Sequence, residues 1–342
     1  MSFINIQKNK ESKKEKSFNN SNILSFKVNN ENNDFLISFM NGLRRTILSD
    51  IPIWTIDEEK IEFSENNSLL NNEFLKHRLI LIPFLNEDPS FSYDHIRVEC
   101  SVKNDSENIK SIYVSDFKLI DEDTETELDI KKYLLTGLDN ILFAKLKYNE
   151  YFSFQAKFTQ NTSYHGGAQY CPVSTCSVTF EHDESELNNQ LKQIDKNDQS
   201  VFKINNQQKL YKKNKFGNPH TYLMNVESIG YLTTHQIIKK ALSIIKQKIE
   251  SYQEKIKDYT LENGFYLLSL DHENDTLGNL ISSYISDESD ISFSGYIIEH
   301  PLYEVVKLKI KTELSKEKLI ELLTNKNKFL IDLIDKFAKE FE

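Results

Sequence analysis

FLISFMNGLRRTILSDIPIWTID, running from Phe35 to Asp57, is the stretch whose reading decides the fold. It opens as a short strand, Phe35 to Ser38. Ser38 is predicted to cap a helix, because its hydroxyl can accept a bond from one of the first free backbone amides. Phe39, Leu43, Ile47 and Ile51 recur every four residues with Met40 beside them, which makes one helical face apolar. Pro52 then stops the helix, since it has no backbone N–H to donate. Arg44 falls on the flank of the stripe and Arg45 nearly opposite it. These two, with Arg78 and Arg97, are the only arginines in 342 residues. A chain that otherwise uses Lys has set half its guanidinium groups side by side on one helix. Two readings stand on these residues: an ordinary solvated face, or a protein contact that exploits the planar, bidentate geometry of Arg.

The segment NGLRRTILSDIPIWTID resembles the first helix of the alpha-like assembly subunits of cellular RNA polymerases, whose pattern is roughly N-A-L-R-R-x-L-L-S-x-V-P-x-x-A-I-x. Asn41, Leu43, Arg44, Arg45, Leu48, Ser49, Pro52 and Ile56 match, and Gly42 stands where the family has Ala.

Composition bounds what the chain can be. Its hydrophobic content of 39%, with 22 Phe and 16 Tyr, supplies cores for two or three domains. A net charge of −10 and a pI near 5.4 argue against a primary nucleic-acid binder. Three cysteines, Cys100, Cys171 and Cys176, fit a reducing compartment and imply no disulfide framework. Cys171 and Cys176 have no second pair to complete a metal site. There is no apolar run of membrane-spanning length and no signal-peptide core, so a soluble intracellular protein is expected. Abundant Lys, Asn and Ile point to an AT-rich genome.

Along the chain, residues 1–20 are polar and lysine-rich and are expected to be a disordered tail. Asn22 to Val28 and Phe35 to Ser38 read as a strand pair about a polar turn. From Glu58 to about Asp183 the pattern is mostly strands. His77, Arg78, Leu79, Ile82 and Pro83 resemble the family segment that opens an inserted domain. Ile112 to Phe117 resembles the family's next strand, and Ile141 to Gln160 alternates in strand fashion. The Gly166-Gly167 pair is too short for a phosphate loop and lacks its Lys. His165, Pro172 and Val173 fit the family's Gly-rich loop, with a strand from Cys176 to Phe180. Residues 184–216 read as a polar linker or surface helix. Tyr222 to Ser228 is a strand, followed by a helix capped near Thr233 or Thr234, with its stripe on Ile238, Ala241 or Leu242, Ile245, Ile249, Tyr252 and Ile256.

A second copy of this logic starts near Glu262 and ends in a long helix with Leu319, Leu323, Leu330, Leu333, Ile334, Phe337 and Phe341 on one face. This block resembles the small partner of the alpha-like subunit in archaeal and eukaryotic polymerases, on Thr276, Leu277, Gly278, Asn279, Gly295, Tyr296, His300 and Pro301. Asp275 replaces the family's His. FMNGLRR aligns with LGNLISS, which sets Asn41 against Asn279 and Arg44-Arg45 against Ser282-Ser283.

The expected fold is α+β. Two alpha-like dimerisation modules pair within one chain, and the first is interrupted by an inserted, mostly-β domain. The expected boundaries are 21–57 with 218–258 for the first module, 58–217 for the insert and 259–342 for the second module. The resemblance implies a non-catalytic assembly platform of a DNA-directed RNA polymerase. Its partners would be the two largest subunits and a small zinc-ribbon-type subunit, with nucleic acid met only through the complex and no homodimer. Fusions of this kind are characteristic of large cytoplasmic DNA viruses, which implies the host cytoplasm (viral factory) and the virion as locations. The expected interface comprises Asn41, Leu43, Arg44, Arg45, Ile47 and Leu48; Ile238, Leu242, Ile245 and Ile249; Thr276, Leu277, Gly278 and Asn279; and Leu330, Ile334 and Phe337. No catalytic, cofactor or metal residue is expected. Two alternatives belong to other classes: a free-standing transcription-regulatory interaction module, and a metal-dependent hydrolase using His272 with Asp271, Glu273 and Asp275.

Overall fold

The computed structural model describes residues 6–8, 23–29, 35–86, 88, 91–134, 137–214, 217–300 and 302–341. In chain order, β1 (Ile6–Lys8) and β2 (Ile23–Asn29) precede helix α1 (Phe35–Ser49) and the long strand β3 (Ile53–Asn66). Helix α2 (Asn72–Ile80) leads to β4 (Ile96–Lys103), β5 (Lys110–Tyr113), β6 (Lys118–Asp121), β7 (Thr126–Leu128), β8 (Leu142–Leu146) and β9 (Tyr151–Asn161). A single turn, α3 (Ser163–Gly166), is followed by β10 (Val173–Phe180), helices α4 (Glu184–Leu191) and α5 (Gln199–Asn206), β11 (Thr221–Ser228) and α6 (Thr234–Lys255). The remainder is β12 (Thr260–Glu262), β13 (Phe265–Asp271), α7 (Asp275–Ser286), β14 (Ile291–Ile297), β15 (Val305–Thr312) and α8 (Lys316–Lys339).

Two four-stranded antiparallel sheets carry the same order. The first runs β1-β2-β11-β10 and the second β12-β13-β15-β14. In each, a strand is followed by a short helix, then two strands, then a long helix. The long helices start on side-chain caps. Thr233 caps α6 in a reciprocal box with Gln236, and the Ser315 hydroxyl accepts from Lys318 N at the start of α8. One hydrophobic core runs through both modules, from Leu24 and Phe26 through Leu43, Ile245 and Leu277 to Phe337 and Phe341. The Phe26 ring meets Phe341 edge-on with centroids 5.1 Å apart, and Phe39 meets Phe337 at 5.6 Å. The last helix of the second module thus closes over the sheet and first helix of the first.

The insert has its own core around Phe84, Tyr93, Phe143, Phe154 and Phe158. It is built from a five-stranded sheet, β3-β9-β4-β6-β7, and a two-stranded one, β5-β8. It is tied to the first module by buried polar contacts. Tyr231 donates to the Gln169 carbonyl at 2.9 Å, and Asn86 N donates to the Tyr231 carbonyl at 2.6 Å. Such groups are costly to bury unless paired, so they hold the insert at a defined position.

Several expectations need correction. Phe35 to Ser38 is the first described turn of α1, not a strand, because Phe35, Leu36 and Phe39 all turn into the core at helical spacing. Ser38 therefore lies inside the helix and caps nothing. The strand partner of β2 is β11, with Val28 opposite Tyr222. The turn expected at 30–34 lies outside the described residues. Within the tail, residues 6–8 form β1 on the edge of β2, and residues 1–5 and 9–20 lie outside the described residues. The β10 strand, expected inside the insert, pairs with β11 and buries Val173 and Cys176 in the module core. The expected linker holds two helices, of which α4 is capped by Asp183 and buries Leu187. Ile112 to Phe117 is a strand only as far as Tyr113, then one tight turn in which Asp116 bonds the Tyr113 N–H at 2.7 Å. Pro301 lies outside the described residues.

Candidate assembly interface

The seam between the modules is the crossing of α1 with α7. If Asn41 matches Asn279, then Ser38 matches Thr276 and Arg45 matches Ser283. The structure brings together these same four side chains. Ser38 Oγ donates to Ser283 Oγ at 2.9 Å, and Arg45 Nε donates to Thr276 Oγ1 at 2.9 Å. Each bond is the image of the other under an internal two-fold axis, as in an isologous dimer contact. A Cβ on Gly42 would find Thr276 Cγ2 at 3.8 Å and Leu280 Cδ1 at 3.9 Å, ordinary contact that leaves room for the family's Ala. Gly278 differs. A Cβ there would lie 2.7 Å from the Tyr296 ring and 3.0 Å from a Val306 methyl, so the helix approaches its sheet at a distance that only glycine permits.

The two guanidinium groups are half-buried and each is fixed at Nε. Arg44 Nε donates to Asn41 Oδ1 at 3.0 Å, and Arg45 to Thr276 as above. Their terminal nitrogens have no hydrogen-bond partner among the described residues. Arg44 lies beside Cys176, whose thiol is pushed up to about 12 by burial despite the opposing pull of that charge. Arg45 faces Tyr296, which burial and its bond to Asp275 raise while the guanidinium pulls the other way. In the second module, Ser282 and Ser283 bond back to Asn279 at 3.3 Å and present no charge. Of the other expected interface residues, Leu43, Ile47, Ile238, Leu242, Ile245, Ile249, Leu277, Leu330, Ile334 and Phe337 are buried in the shared core. Asn41, Leu48 and Asn279 are half-buried.

Sequence reasoning missed a second junction. Lys248 on α6 sits 3.0 Å from Asp50 Oδ2, just past α1, and 3.3 Å from Glu273 Oε2, just before α7. Burial, the largest influence, disfavours the Lys248 charge, yet the two carboxylates outweigh it and its pKa is raised. Glu273 is raised too, chiefly by burial, against the pull of Lys248. The triad lines a cleft of 410 Å³ with Thr162, Tyr164, His165, His272 and Glu304, where α3 meets both modules. Nothing in the pattern of α6, which also carries Lys239, Lys240, Lys246 and Lys255, singled Lys248 out.

The acids around His272 are committed elsewhere: Glu273 to Lys248 and Asp275 to Tyr296. His272 itself is exposed and 3.8 Å from Glu304. Among the described residues no three His, Cys, Asp or Glu side chains converge as metal ligands. Cys171 Sγ bonds the Val173 carbonyl at 3.2 Å. No helix among the described residues is long and apolar enough to cross a membrane.

Comparison with known proteins agrees with this duplicated geometry. Two family models, each described as the RNA polymerase Rpb3/Rpb11 dimerisation domain, match residues 31–249 and 266–340. The chain is 26% identical over 243 residues to DNA-directed RNA polymerase subunit Rpo3 of Pyrococcus horikoshii, covering 65% of this chain and 90% of that relative. It is 36% identical over 92 residues to the Rpo3 subunit of Thermococcus kodakarensis, covering 26% of this chain and 35% of the relative's length. It is 24% identical over 280 residues to subunit 3B of DNA-directed RNA polymerases IV and V of Arabidopsis thaliana, covering 66% and 86%. The first of these models alone spans more than half of the chain, and the chain belongs to the Rpb3/Rpb11 family of alpha-like RNA polymerase subunits, with two dimerisation domains in one polypeptide.

Proposed function

We propose that this chain is the non-catalytic assembly platform of a DNA-directed RNA polymerase, that it holds the two largest subunits, and that it works in a large cytoplasmic DNA virus. The observation that carries the platform reading is the reciprocal pair of bonds, Ser38 to Ser283 and Arg45 to Thr276. They join the two dimerisation modules into one body, so the pairing that separate chains would make is already satisfied and no homodimer is required. The viral reading is supported by the presence of both modules in one chain and by the AT-biased composition. Its location would be the host cytoplasm (viral factory) and the virion, and a small zinc-ribbon-type subunit would complete the assembly.

Within that reading Arg44 is the principal contact to the second-largest subunit. Its Nε is held by Asn41, which leaves its terminal N–H groups oriented for a carboxylate. Arg45 is shared between this contact and the seam. The test is capture of the second-largest subunit by Arg44→Ala and by Arg45→Ala, both checked for fold by circular dichroism. Loss of a buried, hydrogen-bonded interface arginine costs on the order of 2–5 kcal/mol, many-fold in affinity. Undiminished capture by Arg44→Ala, or equal loss in a Ser282→Ala, Ser283→Ala control, would overturn the assignment. Purification of the tagged chain from infected cells, with identification of what co-elutes, tests the viral complex.

A further inference from the structure

We propose that the outer face of the second sheet is a binding surface for single-stranded nucleic acid. The helices cover the inner face of β12-β13-β15-β14, and the outer face sets lysines against aromatic rings. Lys307, Lys309 and Lys311 form a ladder along β15. Lys307 pairs with Glu299 at 2.6 Å. Lys309 and Lys311 have no ion pair to a carboxylate among the described residues. Instead their ammonium groups lie 4.9 and 5.7 Å from the centre of the Phe265 ring on β13. Phe293 on β14 stands edge-on to Phe265 at 6.0 Å and is 49% exposed. A Cβ on Gly295 would lie 2.9 Å from the tip of the Phe293 ring, so the missing side chain lets that ring fold down over the strand. Two aromatic rings and two cations with no ion pair among the described residues thus share one open patch, with Glu262 of β12 beside Phe265 at its edge.

The first sheet is an internal control. Counted from the bulge that both sheets share, its register sets Thr175 opposite Glu227 and Glu227 opposite Ile23, the row that corresponds to Phe293, Lys311 and Phe265. That row carries a carboxylate where the second sheet has Lys311 and holds no aromatic ring, and Lys27, further along β2, is neutralised by Glu181 at 2.9 Å as Lys307 is by Glu299. The same topology without the patch shows that the fold does not demand it. Exposed aromatic rings flanked by lysines on an antiparallel sheet suit unpaired bases, which stack on the rings while their phosphates meet the ammonium groups. A duplex keeps its bases paired inside and offers the rings nothing. This inference does not rest on the platform reading, because it concerns the isolated chain, and it departs from the expectation that nucleic acid is met only through the complex.

Fluorescence anisotropy of labelled oligo(U) and oligo(dT) with the full chain, across a salt series, tests it. With two phosphates neutralised, the slope of log K against log salt is expected to be about −1.4 for a single strand. Lys309→Ala with Lys311→Ala should flatten that slope. Phe265→Ala should weaken binding about fivefold or more and leave the slope unchanged. If Phe265→Ala unfolds by thermal melting, Phe293→Ala on the exposed edge strand takes its place. Lys27→Ala on the first sheet should bind as the unaltered chain does. No binding by the unaltered chain, equal binding of a duplex, or full displacement by polyglutamate with no effect of the ring substitutions would each overturn the proposal.

Discussion

The two modules share strand order, helix order and a hydroxyl cap on the long helix, yet they differ at the seam and in what joins their strands. The first carries Arg44 and Arg45 at the seam, a long excursion with α4 and α5 between β10 and β11, and an entire inserted domain. The second has two serines at the seam and a short corner between β14 and β15. What they keep in common is the core: α1 against α7, α6 against α8, and phenylalanines from both ends of the chain in one cluster. Duplication therefore preserved the packing and released the surface. That is the pattern expected when one side of a body meets one partner and the other side a different one.

The sharpest way to break this comparison is to ask whether the modules fold as one. Phe337 is 2% exposed, and its ring touches Phe26 and Phe39 across the seam and Phe341 beside it. Phe337→Ala removes a large side chain from a shared core and is expected to cost about 3–5 kcal/mol. If the core is common, calorimetry will show the transition of both modules shifting together. A variant in which the second module melts early while the first keeps its midpoint would show two independent units.

A second test sharpens the contrast between the two seam glycines. Gly278→Ala forces a methyl group into the Tyr296 ring and is expected to destabilise by about 1–3 kcal/mol. Gly42→Ala has room and relieves a flexible residue inside a helix, so a gain of about 0.5–1 kcal/mol is expected. Denaturant midpoints of the two variants decide it. Equal effects would mean that the two helices approach their surroundings alike, contrary to the contacts described.

Much of this was legible because it rested on period. The stripes of α1, α6 and α8 repeat at helical spacing, and every residue placed on them except Leu333 is buried. The internal match of Asn41 with Asn279 pointed to the seam, and extending it one turn sets Ser38 against Thr276 and Arg45 against Ser283, the four side chains that meet there. Features that depend on pairing partners were not legible. The tripeptide Ile6–Lys8 carries no pattern of its own and becomes a strand only because β2 offers it an edge. The β10 strand follows the insert in sequence but belongs to a sheet whose other strands lie far away along the chain. The polar segment 184–216 lacks apolar period because its helices lie on the surface, with Leu187 the only buried residue of α4 and none of α5 buried. Lys248 was hidden among the other lysines of α6, since a helix lysine normally faces water and only the fold brings Asp50 and Glu273 to it.

The smallest expected effect concerns the two long helices. Counted from their caps, Thr233 and Ser315, Asn327 occupies the place that Ile245 holds in the first module. Both are buried at 2% exposure, but the Asn327 Nδ2 has no hydrogen-bond partner among the described residues. An unsatisfied amide in an apolar core costs on the order of 1–3 kcal/mol, whereas an apolar side chain of the same shape carries no such penalty. Asn327→Leu should therefore stabilise the chain by about 1 kcal/mol, raising the melting midpoint by about 2 °C. The measurement also decides why the asparagine is there. If Asn327→Leu is more stable and still captures the large subunits, the amide is a tolerated imperfection. If it is more stable but fails in capture, the polar group is needed for a rearrangement on assembly. A loss of stability would mean that the amide is satisfied in solution, and the equivalence of α6 and α8 would then fail at this turn.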